Sequence, residues 1–135
     1  EGTKFIEVFS RRGLVVDALG AYLLPRTIGL HKAKELVLFA DDLPVAEAER
    51  LGLVNKVVPR DELAATAGEW AGRLASGPTK ALGLSKWLLN QSFDVDRATM
   101  MSNEAIAVEL NTHSEDFAEG MASFRERRDP VWRGY

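Results

Sequence analysis

The sequence has no cysteine and only two histidines among its 135 residues. The lack of cysteine excludes a disulfide scaffold, a thiolate metal site and a cysteine nucleophile, and two histidines are too few for a histidine-rich metal site. No apolar run approaches the ~18–20 residues that a membrane-spanning helix needs. Basic residues are not in excess, because 17 Lys and Arg stand against 20 Asp and Glu, which argues against general nucleic-acid binding. We therefore expect no metal, no membrane and no nucleic acid as partners.

The apolar share of the chain is high, at 46% of residues, which excludes a disordered chain. At this length we expect one domain or part of one. The sequence opens at Glu1 without an initiator Met, a basic leader or an apolar leader segment, so we expect no signal peptide and a cytoplasmic location. Residues 4–10 already favour a strand, which suggests a piece of a longer fold.

Apolar periodicity along the rest of the chain predicts about six or seven helices. The clearest begins near Asp61 and carries one continuous apolar stripe. The others are expected near residues 19–25, 31–39, 44–51, 84–88, 101–108 and 114–124. Only residues 4–10 and 54–58 favour strands, and one or two strands cannot form a sheet that stands alone. We expect these strands to pair with something absent or to form edges.

Local signals mark several of the helix boundaries. Pro25 is expected to end or kink the first helix, since proline lacks an N–H. Gly52 is expected just beyond the end of the third helix, and Ser114 at the N-terminal cap of the last one.

The residues contain no complete catalytic set, no phosphate-binding glycine loop and no metal-ligand spacing. The most informative position is Asp17, a carboxylate in an apolar stretch between Gly13 and Gly20, near a predicted helix start. Apolar surroundings raise a carboxyl pKa and a helix N-terminus lowers it, a balance that suits a general acid or base. The alternative is that Asp17 only caps the helix, and from the residues alone capping is favoured.

Three arginines, Arg125, Arg127 and Arg128, are expected in the last turn of the final helix, where they complement the helix dipole or bind a phosphate. Four aromatic side chains lie on helical stripes and are expected in a core or an interface: Trp70, Trp87, Phe117 and Phe124.

An ordered series of short motifs spans nearly all of the chain. In order, it comprises Gly13-Leu14…Asp17…Gly20, Leu24-Pro25-Arg26 and Gly29, Ala33…Glu35-Leu36-Val37-Leu38, Ala46-Glu47-Ala48, Gly52-Leu53-Val54-Asn55…Val57-Val58-Pro59, Gly77-Pro78, Lys86, and Ser114…Asp116…Glu119-Gly120…Phe124…Arg128…Pro130. Each motif alone is weak, whereas the ordered series is highly specific. On these residues the chain resembles the C-terminal half of the enoyl-CoA hydratase/isomerase, or crotonase, family.

The resemblance implies an α/β crotonase-like spiral of ββα repeats, here mainly its C-terminal part, predominantly helical with one or two short strands. Residues 1–60 would form the end of the spiral core. Residues 61–135 would form the helical region that covers coenzyme A (CoA) and builds trimers, often paired into hexamers. The resemblance implies no separate cofactor, because CoA is part of the acyl-CoA thioester substrate.

In this family, two backbone N–H groups form an oxyanion hole for the thioester enolate. The resemblance places both groups, and the first catalytic glutamate of the hydratases, upstream of Glu1, so the 135-residue chain alone is expected to be inactive. The second hydratase glutamate corresponds to Phe9. Asp17 corresponds to the acid/base aspartate of several isomerases and to the nucleophile of aroyl-CoA dehalogenases. Val16 and Leu19 replace a proline and a glycine of the usual pattern around it.

The resemblance therefore favours an isomerase-type acyl-CoA enzyme with Asp17 as its acid/base. Two alternatives stay open: a hydratase that uses an upstream glutamate, with Phe9 shaping the acyl pocket, and a non-catalytic acyl-CoA-binding subunit. By the same resemblance, Phe124 and Arg127 correspond to residues that contact CoA near its adenine and phosphates.

Overall fold

The structure, a computed structural model, describes residues 2–135 and divides the chain into two compact units, Glu1–Thr66 and Ala67–Tyr135. The first unit contains β1 (Lys4–Phe5), a 3₁₀ helix (Val8–Arg12), α1 (Gly20–Ile28), α2 (Leu30–Phe39), β2 (Leu43–Pro44), α3 (Val45–Arg50) and a second 3₁₀ helix (Arg60–Glu62). Helix α4 (Leu63–Ala75) begins in the first unit, and the second unit adds α5 (Thr79–Gln91), α6 (Arg97–Thr112) and α7 (Glu115–Glu126). Within residues 2–135, none of these helices is both long and apolar enough to cross a bilayer.

A small apolar cluster holds the first unit together. Leu36 of α2, Leu43 of β2 and Ala48 of α3 are buried, and partly buried apolar side chains pack around them. Burying a leucine side chain contributes about 1.5–3 kcal/mol relative to leaving it exposed. The two strands pair antiparallel with Phe5 opposite Leu43, so the pairing fixes β2 beside the chain's first residues.

Helices α5, α6 and α7 pack in sequence order in the second unit. Side-chain oxygens cap two of them: Asp96 accepts a hydrogen bond from the Thr99 N–H at 2.9 Å, and Ser114 accepts one from the Phe117 N–H at 3.1 Å. The predicted cap at Ser114 is therefore confirmed.

The predicted strands differ from those in the structure. Residues 54–58 are not a strand, because nearby groups of α3 take two of their backbone donors: the Val54 N–H bonds the Ala48 carbonyl at 3.4 Å, and the Val57 N–H bonds a Glu49 carboxylate oxygen at 2.9 Å. The first strand covers only Lys4–Phe5, since the chain then turns into a 3₁₀ helix. Its partner is β2, a segment for which the sequence predicted no strand.

The helices follow the predicted pattern with one exception in detail. Helix α1 includes Pro25 and ends at Ile28, so the end that the sequence predicted close to the proline lies three residues beyond it. Proline removes a single N–H donor at this point, and beyond it the Thr27 hydroxyl donates to the Leu23 carbonyl at 2.9 Å. Gly52 follows α3 with a φ of +78°, as predicted.

The four aromatic side chains on the helical stripes are all exposed within the chain: Trp70, Trp87, Phe117 and Phe124. The interpretation of these residues as core is therefore wrong for this chain. The alternative, that they lie in an interface, stays a prediction.

Candidate functional site

The first candidate position, Asp17, lies in a tight turn directly before α1. Its backbone carbonyl accepts a hydrogen bond from the Gly20 N–H at 2.7 Å, which closes the turn. The two residues between them, Ala18 and Leu19, have φ values of +48° and +65°. Positive φ at both central positions is the pattern of a type I′ turn, which usually carries glycine or asparagine.

This turn stores backbone strain next to the carboxylate. The left-handed conformation costs a residue with a side chain about 1–2 kcal/mol, so Ala18 and Leu19 are both held against their preference. Gly20 closes the turn because nothing larger fits there: an added Cβ would lie 2.7 Å from a methyl carbon of Val16. Strain of this kind persists only where the surroundings impose it, and it is concentrated at functional sites.

The carboxylate of Asp17 does not cap α1. The helix begins at Gly20, its capping residue is Leu19, and no side chain bonds the first turn. The capping interpretation of Asp17 is therefore wrong. The residue is exposed, and among residues 2–135 no hydrogen bond or ion pair to its carboxylate is found, which leaves both oxygens available to a ligand.

The surroundings of this turn are apolar. Leu14, Val15 and Leu19 expose most of their side chains, and Leu19 is 69% exposed. Beside the turn lies an open depression of about 160 Å³, lined almost wholly by apolar side chains of α1, α2 and Val16. Phe9, in the 3₁₀ helix before the turn, is half-buried and has no group that can move a proton.

The second candidate position is the corner where α7 ends. The Arg127 N–H donates to the Phe124 carbonyl at 3.4 Å, and the Arg128 N–H reaches back to the Ser123 carbonyl at 3.1 Å. This bond pair is a Schellman motif, and its left-handed residue is Arg127, with a φ of +55°. Glycine is the usual residue at that place. We use the name "α7 corner" for residues 123–128.

The three arginines of the α7 corner have different surroundings. Only Arg125 lies in the last helical turn, where its Nε donates to the Met121 carbonyl at 3.2 Å, so the predicted placement of all three in that turn is wrong for Arg127 and Arg128. Arg128 binds Glu119 in a two-pronged ion pair. Arg127 is exposed, and within the described chain its guanidinium has no ion pair or hydrogen bond. Phe124 beside it is 81% exposed.

The chain beyond the α7 corner is fastened back onto α7 by two carboxylates. Asp116 is only 3% exposed, and its two oxygens accept the N–H groups of Arg133 at 2.7 Å and Gly134 at 2.8 Å. Glu119 accepts the Val131 N–H at 2.8 Å. Gly134 has a φ of +87°, and an added Cβ would lie 2.6 Å from the Thr79 hydroxyl, so this docked segment requires glycine. We call residues 131–135 the "docked tail".

Glu119 is the most perturbed acid of this region. The Arg128 guanidinium that bonds it, together with the Val131 N–H, lowers the pKa of the Glu119 carboxyl from 4.5 to about 2. Glu119 is therefore ionised at neutral pH. The sequence-based reasoning did not find this carboxylate as a functional residue, because the nine-residue spacing to Arg128 is not a helical period.

The structure brings Phe124 and Arg127 together on the α7 corner of the second unit, while Asp17 belongs to the first unit. Among the described residues, no three histidine, aspartate or glutamate side chains converge closely enough to hold a metal ion. The two candidate positions therefore offer an unpaired carboxylate in apolar surroundings in the first unit, and an unpaired guanidinium and an exposed aromatic ring on the same corner of the second unit.

Comparison with solved structures assigns the fold. A protein of Streptomyces coelicolor A3(2), assigned as an enoyl-CoA hydratase, superposes with a TM-score of 0.93 at 37% identity, over 98% of this chain and 49% of that one. The fold is therefore the crotonase-like fold, and the predicted fold class is confirmed.

Comparison of sequences assigns the family. The family model of enoyl-CoA hydratase/isomerase matches residues 1–135, and the chain belongs to that family. It is 35% identical over 131 residues, 97% of its length, to the 1,2-epoxyphenylacetyl-CoA isomerase of Escherichia coli K12, covering 50% of that protein. It is 41% identical over 109 residues, 81% of its length, to the crotonyl-CoA hydratase of Syntrophomonas wolfei, covering 42% of that protein. The chain thus spans about half the length of the curated relatives it matches.

Proposed function

We propose that this chain is the C-terminal half of an acyl-CoA enzyme that performs isomerase-type enolate chemistry on an enoyl-CoA thioester, with Asp17 as the acid/base. The observation that carries the proposal is the state of Asp17: an exposed carboxylate without a partner among residues 2–135, in a strained turn among apolar side chains. A carboxylate without hydrogen-bond partners is free to take a proton from a substrate carbon and return it to another.

The preceding segments of the family fold would supply the oxyanion hole. Two backbone N–H groups there would stabilise the enolate while Asp17 moves the proton, which is a preorganised electrostatic contribution. Phe9 supports the isomerase-type assignment, because it stands at the position of the second hydratase glutamate and cannot activate a water molecule. The similarity to a 1,2-epoxyphenylacetyl-CoA isomerase is consistent with an isomerase.

A hydratase is the second candidate, favoured by the 41% identity to a crotonyl-CoA hydratase. Such an enzyme would use a glutamate outside these 135 residues, and Phe9 would shape the acyl pocket. A subunit that binds acyl-CoA without turning it over is the third candidate.

We propose that CoA binds at the α7 corner. Arg127 offers an unpaired planar guanidinium, which matches phosphate oxygens in a two-pronged arrangement. Phe124 offers an exposed ring on which an adenine can stack. Arg128 is a poorer candidate, because Glu119 and Glu126 already occupy its nitrogens. CoA enters as part of the substrate, and the proposal needs no separate cofactor.

The test of Asp17 uses a protein in which the preceding half of the fold is present. Asp17→Asn keeps the shape and removes the titratable group, so isomerisation of an enoyl-CoA should fall by about 10²–10⁴-fold while thioester binding stays near normal. Proton exchange at the acyl α- or γ-carbon, followed by NMR in deuterated solvent, reads the proton transfer directly. Asp61→Asn is the matched control, since Asp61 lies in the second 3₁₀ helix of the same unit, and it should leave the rate unchanged.

Three outcomes would redirect the assignment. Exchange at the wild-type rate in Asp17→Asn would remove Asp17 from the mechanism and leave an upstream residue as the base. Water addition without isomerisation would favour the hydratase, and binding of the thioester without either reaction would favour the non-catalytic subunit.

A further inference from the structure

The α7 corner contains a conformational conflict. Arg127 adopts the left-handed conformation at a position where glycine is usual, and a residue with a side chain is about 1–2 kcal/mol less stable there. The two Schellman hydrogen bonds form from the backbone and would be the same for glycine. Some other contact must therefore hold the corner in place while it carries an arginine.

Glu119 makes that contact. Its Oε1 accepts from Arg128 Nη1 at 2.5 Å and from the Val131 N–H at 2.8 Å, and its Oε2 accepts from Arg128 Nη2 at 2.9 Å. One carboxylate on the body of α7 thus binds the chain at two points just beyond Arg127. The chain cannot relax at Arg127 unless these bonds break.

The same contact decides which arginine is free. Arg128 has both terminal nitrogens on Glu119 and its Nε on Glu126 at 2.6 Å, so its guanidinium is fully occupied. The guanidinium of Arg127, one residue earlier, has no partner among residues 2–135, and the Arg127 N–H bonds the carbonyl of Phe124, whose ring is exposed.

We propose that Glu119 is a positioning residue for CoA binding: by holding Arg128 and the docked tail, it keeps Arg127 in its left-handed conformation with the guanidinium free for phosphate oxygens. This inference rests on the proposed binding of CoA at the α7 corner. In this proposal Arg127 contacts the phosphates of CoA, and the Glu119 carboxylate, which touches no ligand, holds Arg127 in its binding conformation beforehand.

The proposal predicts a change in CoA affinity opposite to the change that net charge alone would cause. CoA is an anion, so removing a negative charge from the protein should strengthen its binding if charge alone mattered. Glu119→Gln removes one negative charge and should instead weaken binding, because Arg127 must then be ordered at the moment of binding. The expected loss is about three- to tenfold.

The experiment is isothermal titration calorimetry with CoA at low ionic strength, on the protein in which the preceding half of the fold is present. The variants are Glu119→Gln, Arg127→Gln and the double variant. Arg127→Gln should weaken binding about tenfold, and Glu119→Gln should have no further effect once Arg127 is gone. Glu104→Gln is the matched control: it removes the same charge from α6, outside the α7 corner, where the exposed carboxylate has no partner among residues 2–135, and the affinity of this variant should equal or exceed that of the wild type.

The outcomes distinguish failure of CoA binding at the α7 corner from failure of the positioning role of Glu119. An unchanged affinity in Arg127→Gln, or no binding by the wild type, would contradict CoA binding at the α7 corner itself. If Arg127→Gln weakens CoA binding about tenfold but Glu119→Gln leaves it unchanged, only the positioning role of Glu119 is overturned. An equal loss from Glu119→Gln with and without Arg127 would show a merely structural effect and would also overturn it. If Glu119→Gln does not fold, Arg128→Gln breaks the same Glu119–Arg128 ion pair from the arginine side. Its CoA affinity is then compared with and without Arg127→Gln in the same way.

Discussion

Asp116 is the polar side chain on which the docked tail depends most. It lies in the first turn of α7, is 3% exposed, and gives one carboxylate oxygen to each of two backbone N–H groups, at Arg133 and Gly134. The Asp116 N–H in turn donates to the Tyr135 carbonyl at 3.2 Å. Asp116→Ala removes both acceptors without disturbing the backbone of the helix, so we expect the tail to detach.

The magnitude follows from the two hydrogen bonds. A hydrogen bond to a charged group contributes about 1.5–3 kcal/mol, so the pair sets an upper limit of about 3–6 kcal/mol. The tail lies at a chain end, where the released N–H groups can reach water, and this recovers part of the loss. We therefore expect Asp116→Ala to cost about 2–3 kcal/mol, or roughly 10–20 °C in Tm for a unit of this size.

Thermal unfolding followed by circular dichroism measures the global effect, and amide hydrogen exchange of Arg133 and Gly134 measures the local one. A loss of about 2–3 kcal/mol corresponds to an increase of roughly 30- to 150-fold in the exchange rate of these two amides. Asp129→Ala is the control, because the Asp129 carboxylate makes no hydrogen bond or ion pair among residues 2–135, and it should change neither quantity. Wild-type exchange rates in Asp116→Ala would show that the tail is held by other contacts, such as Trp132 against Gly120.

Two further predictions concern pH and association. Because the folded-state pKa of Glu119 is about 2 and its ordinary value is 4.5, its contribution to stability is present above pH 4.5 and is lost as the pH falls through about 2. The Tm of the wild type should thus fall more steeply over this range than that of Glu119→Gln at low ionic strength, and parallel curves would contradict the assignment. The isolated chain leaves many large apolar side chains exposed, Leu19 and Phe124 among them, so sedimentation should show an oligomer, such as the trimer or hexamer that the family resemblance implies, rather than a monomer. A monomer that melts cooperatively would refute this expectation.

Sequence patterns predicted the helices well, because amphipathic spacing and capping residues are local properties. Ser114 is an example: its hydroxyl caps α7 as the sequence predicts. The strand predicted at residues 54–58 failed because β-branched residues favour a strand only if their N–H groups find a neighbouring strand. Here Glu49 and Ala48 of α3 take those N–H groups first, and this competition depends on packing that sequence periodicity does not contain.

At the candidate site, too, some features could be predicted from the sequence and others depend on the three-dimensional structure. The residue pattern singled out Asp17, and the family resemblance, which follows the order of motifs along the chain and needs no geometry, gave it the expected acid/base role. The left-handed turn at Ala18 and Leu19 could not be predicted, since neither residue type prefers that conformation. The ion pair between Glu119 and Arg128 could not be predicted either, because it joins α7 to the chain that follows it, and helical periodicity does not extend past the end of the helix.

The left-handed conformation of Arg127 sets two selective pressures on this chain against each other. Glycine at position 127 would relieve the backbone strain and, after its own entropic cost in the unfolded chain, would stabilise the fold by up to about 1 kcal/mol. A library selected only for resistance to heat should therefore enrich glycine at this position and discard the guanidinium. If Arg127 binds CoA as proposed, the same library selected on immobilised CoA should restore arginine. Thermal stability and CoA binding then cannot both be optimised at this residue.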